Sequence, residues 1–292
     1  MTPSTTTFCG IELAHPIING SGTFDAIAAH DVFGQSLIDD FPFAAFVSKT
    51  ITLAPRVGNP PPRLWETPAG MINSIGLPNK GLQQYLATDL PRLAALPVPL
   101  VTNVMGSTAE ELCELVAACD EQDAIAAIEL NVSCPNVKTG LDIGADPASL
   151  AEVVRAVRPR TSKPLIVKLT PNTADVALVA QAAEAEGADA VSLVNTLRAT
   201  AQRPDGSGAP WLGGTTGGLS GPAIRAVALA QVTAVAARVC IPVVGMGGVQ
   251  RGEHAAQFLR AGATLVAVGT ESFRDPAAGS RIARELHGLL GR

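Results

Sequence analysis

With 292 residues, 47% of them apolar and only 16% charged, the chain can bury one large core or two smaller ones. A net charge of −5, a pI near 5.4 and the absence of any run of Lys or Arg exclude nucleic acid and anionic membrane as partners. The five cysteines (Cys9, Cys113, Cys119, Cys134, Cys240) include no C-x-x-C pair, which excludes a disulfide framework and a zinc or iron–sulfur ligand set. Residues 1–9 are Thr-rich, with neither the basic start nor the apolar stretch of a signal peptide or anchor, so a cytoplasmic location is expected.

In chain order, apolar and β-branched runs at 16–20, 44–50, 99–105, 127–133, 164–170, 190–196, 242–248 and 265–270 read as strands. Several open with proline, which suits the first residue of a strand. Helical patterns lie between them, at 108–121, 147–157, 173–186, 222–238, 252–261 and 276–290. Ser107 and Asp146 read as N-caps, and Pro147 and Pro222 suit a first helical turn. This alternation predicts an α/β fold, a parallel (β/α)8 barrel (a TIM barrel), as one domain over 1–292. A doubly wound open sheet is the structural rival. The connections 51–79 and 195–219 are too long for plain turns, and both follow strands, which in a barrel places them at the catalytic face.

The carboxyl ends of the predicted strands carry a polar series. Ser21 follows the first, Lys49 and Thr50 the second, Asn103 the third, Asn131 and Cys134 the fourth, Lys168 the fifth, and Asn195 with Thr196 the sixth. Gly247–Gly248 and Gly269–Thr270 close the last two, where barrels hold phosphate on backbone N–H groups beside a helix N-terminus. The glycines from Gly217 to Gly221 read as a further turn of this kind. No G-x-G-x-x-G or G-x-x-x-x-G-K-[ST] occurs, so a phosphorylated ligand other than a classical dinucleotide or nucleoside triphosphate is expected.

Cys134 differs from the other cysteines: it lies just past a strand, among amides, before Pro135. A thiol with an ordinary pKa near ~8.5 can accept a proton once ionised. Gly140 and Gly144 in the following segment would let it act as a lid. His15, His30, His254 and His287 are scattered without metal spacing and read as surface or structural residues. Glu129, inside a strand, reads as a buried, paired structural carboxylate. Trp65–Glu66, on a loop, reads as packing or substrate shielding.

Several segments together resemble one family over essentially the whole chain. They are Asn19-Gly20-Ser21-Gly22-Thr23-Phe24, Ser48-Lys49-Thr50, Pro55-Arg56-Val57-Gly58-Asn59-Pro60 and Met71-Ile72-Asn73-Ser74-Ile75-Gly76-Leu77. Further on come Glu129-Leu130-Asn131-Val132-Ser133-Cys134-Pro135-Asn136, Asn195-Thr196, Thr216-Gly217-Gly218-Leu219-Ser220-Gly221-Pro222 and Gly245-Met246-Gly247-Gly248-Val249. This set resembles the soluble class 1 dihydroorotate dehydrogenases, most closely the NAD-linked class 1B. The resemblance implies an FMN enzyme of pyrimidine biosynthesis that oxidises dihydroorotate to orotate, with Cys134 as base.

It further implies FMN contacts from Ser21, Lys49, Thr50, Asn103, Asn131, Lys168, Val194, Gly221, Gly247, Gly248, Gly269 and Thr270. Substrate contacts are implied for Lys49, Asn73, Ser74, Ile75, Gly76, Leu77, Asn131, Asn136, Asn195 and Thr196. Lys168 would stabilise charge arriving with the hydride, and no metal is implied. As partners it implies a homodimer and an electron-transfer subunit carrying FAD and a 2Fe–2S cluster. Alternatives are a fumarate-linked class 1A enzyme, another FMN-dependent dihydropyrimidine dehydrogenase, and a catalytically silent flavin-binding paralogue.

Overall fold

A strand buried on both faces must be apolar at successive positions, because alternate side chains point to opposite faces. The computed structural model describes residues 5–132 and 143–291 and places a strand within seven of the eight apolar runs, the fourth strand starting two residues ahead of its run at Ile125. These are β1 (Ile17–Asn19), β2 (Phe46–Val47), β3 (Leu100–Val104), β4 (Ile125–Asn131), β5 (Leu165–Lys168), β6 (Ala190–Leu193), β7 (Val243–Met246) and β8 (Leu265–Val268). They pair in the order β1–β8–β7–β6–β5–β4–β3–β2, every pair parallel.

The ends of that series meet, and a side chain makes the join. Asn19 Nδ2 donates to Val47 O at 2.8 Å, while Asn19 Oδ1 accepts from Val47 N–H at 2.8 Å. A carboxamide carries the same donor and acceptor as a peptide unit, so it substitutes for a ladder rung. One backbone bond, from Ala44 N–H to Ile17 O at 2.9 Å, accompanies it. The result is a closed (β/α)8 barrel.

The helices Ala109–Asp120, Pro147–Val157, Val176–Ala185, Arg225–Ala236, Gly252–Arg260 and Ala278–Leu290 lie within the predicted segments. Asp146 caps as expected, accepting from Ser149 N–H. Ser107 does not cap its helix. Thr108 does, because Glu111 stands three residues beyond it: Thr108 Oγ1 accepts from Glu111 N–H, and the Glu111 carboxylate reaches back to Ser107 N–H at 2.7 Å. No helix among the described residues is long and apolar enough to cross a membrane.

Inside the barrel, alternate positions change character along the strands. An apolar layer is formed by Ile18, Val47, Val101, Ala127, Ile166, Ala190, Val244 and Leu265 among others. Two residues further along β3 to β6 stand the buried polar groups Asn103, Glu129, Lys168 and Ser192. A hairpin that periodicity did not reveal, Thr6–Phe8 with Ile11–Leu13, packs Phe8 and Leu13 into the apolar layer and plugs that end.

At the opposite end the two long connections are not structureless. They supply the strands Leu64–Thr67, Gly70–Asn73, Leu197–Ala199 and Gly217–Ser220 of a single antiparallel sheet. Trp65 therefore lies on a strand rather than a loop, its ring centroid 5.2 Å from that of Trp211. The stretch read as a glycine turn is likewise a strand from Gly217 to Ser220. Its glycines serve close approach, since a Cβ built on Gly218 would lie 1.8 Å from Thr196 Oγ1. Only Gly221, at φ +90°, has the turn conformation.

Candidate active site

The antiparallel sheet and the carboxyl ends of the barrel strands enclose a cavity of about 500 Å³. The segment after β1 contributes Ser21, and the segment after β2 contributes Lys49 and Thr50. Asn131 comes from the end of β4, Lys168 from the end of β5, and Val194, Asn195 and Thr196 from just past β6, where the Leu193–Val194 peptide is cis. Gly247 and Gly248 follow β7, Gly269 and Thr270 follow β8, and Gly221 precedes the helix Arg225–Ala236. The antiparallel sheet and the loop after it bring Asn73, Ile75, Gly76 and Leu77.

Two predicted residues do not line this cavity. Ser74 is fully buried, its hydroxyl accepting from Asn59 Nδ2 at 2.9 Å, so it secures the loop 75–77 against the loop 55–60. Asn103 is fully buried beneath the cavity. Its Nδ2 donates to Glu129 at 2.5 Å, and its Oδ1 has no hydrogen-bond partner among the described residues. Cys134, Asn136 and the glycine of the expected lid at Gly140 lie outside the described residues.

The cavity's polar residues are held in place by one another. Ser21 Oγ donates to Ser48 O at 2.8 Å and lies 3.4 Å from Thr50 Oγ1, which accepts from Asn131 Nδ2 at 3.2 Å. Thr270 Oγ1 bonds Ser220 Oγ at 2.9 Å, tying the end of β8 to the antiparallel sheet. Below, Glu129 gathers Asn103, the Ser192 hydroxyl at 2.7 Å and Lys168 Nζ at 4.0 Å. Glu129 and Lys168 are 4% and 5% exposed, so each charge needs the other and the surrounding donors to be tolerated there. Lys49 and Lys168 both line the cavity, and no Asp or Glu among the described residues does, which suits an anionic ligand.

The glycine loops have the geometry of an anion cradle. Gly248 has φ +70°, and a Cβ there would fall 2.8 Å from Gly221 O and 2.9 Å from Arg225 Cβ. Glycine alone allows that close approach of the two loops at this φ. Beside them starts the short helix Thr270–Phe273, whose N-terminal N–H groups favour negative charge, whereas the first N–H of the helix Gly252–Arg260 is taken by Glu285. Behind Gly248 lies His254, whose Nδ1 accepts from Gln250 N–H at 3.2 Å. Burial and the nearby Arg225 and Arg251 hold its pKa below the usual histidine value.

Residue-type reasoning had no signal for the cavity's apolar lining, Leu64, Met71, Ile224, Met246 and Phe273. Such residues in a sequence look like core, and only the fold shows that they face a ligand-sized space.

The family profile described as dihydroorotate dehydrogenase matches residues 4–290. The chain is 45% identical over 285 residues to the dihydroorotate dehydrogenase B (NAD(+)) catalytic subunit of Citrifermentans bemidjiense, covering 96% of this chain and 91% of that one. It is also 45% identical over 290 residues to the protein of the same name from Pelobacter propionicus, covering 98% and 93%. A protein of Solibacter usitatus named, provisionally, dihydroorotate dehydrogenase A (fumarate) is 46% identical over 294 residues, covering 100% and 95%.

Proposed function

The chain belongs to the dihydroorotate dehydrogenase family, and from that premise we propose that it oxidises dihydroorotate to orotate with FMN as hydride acceptor and Cys134 as base. The observation that carries this reading is convergence. Residues singled out at the ends of β1, β2 and β4 to β8, far apart in sequence, line one cavity of about 500 Å³, a size suited to a cofactor with a small substrate.

The residues present fit FMN. Gly247, Gly248, Gly269 and Thr270 offer a cradle of backbone for its phosphate, and glycine at 248 lets its loop pack against Gly221 and Arg225. Asn103, which does not line the cavity, acts from below by holding Glu129 beside Lys168. Ser21, Thr50, Asn131, Val194 and Gly221 complete the contacts. When bound, the flavin supplies the two-electron acceptor that no side chain of this chain provides.

Everything else falls to the protein. The Asn73, Asn131, Asn136 and Asn195 amides, with Thr196, can both donate to and accept from the alternating N–H and C=O groups of a pyrimidine ring. Lys49 faces the substrate carboxylate, while the backbone of residues 74–77 shapes that side of the cavity. Lys168 presents a fixed positive charge at the cavity floor, where electrostatic stabilisation of arriving negative charge is most effective. Cys134, as thiolate, takes the proton from C5 of the substrate. The antiparallel sheet covers one side of the cavity and, with Leu64 and Met71, gives it an apolar wall.

For reoxidation we propose electron transfer to NAD through a partner subunit carrying FAD and a 2Fe–2S cluster, assembled on a homodimer of this cytoplasmic chain. The chain itself has neither a cluster-type cysteine spacing nor a dinucleotide fingerprint, and the B-type relatives are named as catalytic subunits. The similarity to the protein named for fumarate makes direct fumarate reduction the second reading. Dihydroorotate turnover by the purified chain is to be measured with NAD and with fumarate, with and without its co-purified flavoprotein. NAD reduction only in the presence of the partner supports the first reading. Full-rate fumarate reduction by the chain alone overturns it in favour of the second.

A further inference from the structure

The cradle assigned above to phosphate is built from the loops after the paired strands β7 and β8, and past the last paired residues, Met246 and Ala267, side chains set their spacing. Two side chains link the loops, Gln250 and Arg281. Arg281, on the helix Ala278–Leu290, donates from Nη1 to Gln250 O at 2.9 Å, two residues past Gly248. From Nη2 it reaches Glu271 at 3.3 Å, next to Thr270, and from Nε it reaches Asp275 at 2.9 Å, just past that short helix. Gln250 Nε2 closes the figure by donating to the other Glu271 oxygen at 3.1 Å. The helix bearing Arg281 is itself seated at the same place, Glu285 accepting from Gly252 N–H at 2.6 Å. Arg281 does not line the cavity, so any effect on a ligand passes through the loops.

We propose that Arg281 is a positioning residue: its guanidinium clips the loops after β7 and β8 at the spacing that receives the cofactor phosphate, and so gives the protein its preference for FMN over riboflavin. The inference rests on the reading of the site as an FMN site. A planar fork with donors in three directions is what the geometry uses, and a lysine cannot reproduce it. The ring-binding part of the cavity, on β1 to β6, has no contact with Arg281.

The test is the dissociation constant of apoprotein for FMN and for riboflavin, which lacks the phosphate, in wild type, Arg281→Gln and Arg281→Lys. Wild type is expected to prefer FMN. In both variants FMN binding should weaken about tenfold or more, the scale of a lost charge-assisted bond, while riboflavin binding stays within about twofold. Equal weakening of both ligands, or of neither, overturns the clip. Retention of the full FMN preference by Arg281→Lys also overturns it, because charge alone would then suffice. Should Arg281→Gln not fold, the lysine variant carries the test. A wild type that binds both ligands equally contradicts the phosphate cradle itself, and is thereby told apart from a failure of the clip alone.

Discussion

Replacing Asn19 by alanine removes the side chain that joins β1 to β2. The residue is fully buried, and its carboxamide makes bonds to Val47 O, Val47 N–H and Gly20 O at 2.8, 2.8 and 3.1 Å. Alanine leaves the N–H and C=O of Val47, itself 3% exposed, without those partners. Each unsatisfied buried group costs about 1–3 kcal/mol, so the pair sets a loss of about 2–6 kcal/mol, at the low end if water enters the gap. With a urea m-value of about 3 kcal/mol per molar, a mid-range loss lowers the unfolding midpoint by about 1 M or more. Urea titration followed by far-UV circular dichroism gives the midpoint.

Asn19→Asp refines the test. Its carboxylate keeps the acceptor for Val47 N–H but turns an anion toward two carbonyl oxygens. At neutral pH it should fall at least as low as the alanine variant. Burial and the carbonyls raise such a carboxyl's pKa in the folded state, so its deficit should shrink as acid protonates it and restores an O–H donor. A change under about 1 kcal/mol for Asn19→Ala would refute the view that this amide is the closing rung.

Gly218→Ala should displace Thr196 by placing a methyl within 1.8 Å of its hydroxyl. Orotate affinity, followed by titration of the flavin spectrum, is expected to fall about 10–100-fold, the scale of a misplaced contact, with FMN affinity little changed. Unchanged orotate binding would remove Thr196 from the substrate contacts. Asp120 binds the Thr161 hydroxyl at 2.6 Å and the Ser162 N–H at 2.9 Å, and these donors hold its pKa below the ordinary aspartate value, the hydroxyl first. A depressed folded-state pKa contributes stability above the unfolded value near ~3.9 and loses it as pH falls. Asp120→Asn should therefore melt below wild type at pH 7, with the gap closing on acidification below about pH 4; a gap that persists there would contradict the assignment.

How much of this was legible in sequence depended on what each residue's neighbours demanded. The barrel strands were legible because both of their faces are buried, which makes runs such as 164–170 and 265–270 uniformly apolar. The antiparallel sheet was not, since its strands are three or four residues long and one of them begins with two glycines. A glycine pair signals a turn through its conformational freedom, whereas here it serves the close packing of Gly218 on Thr196. The polar cavity residues were found because Lys49, Asn131 and Lys168 make no sense as scaffold at the end of a strand. Polarity could not tell that Ser74 faces Asn59 instead of the cavity, nor that Asn103 lies one layer down with Glu129. Arg281 gave no signal, being one arginine on a helix whose exposed face is expected to carry charge.

The most direct measurement is anaerobic stopped-flow reduction of the bound flavin by dihydroorotate, across pH, in wild type and Cys134→Ala. The wild-type rate should rise toward about pH 8.5, where a thiol with an unshifted pKa ionises, and then level off. The alanine variant should keep its flavin and reduce it about 100-fold more slowly or worse, the usual scale for loss of a positioned base. A wild-type protein whose flavin dihydroorotate leaves oxidised contradicts the proposed activity, and an alanine variant as fast as wild type contradicts the role of Cys134.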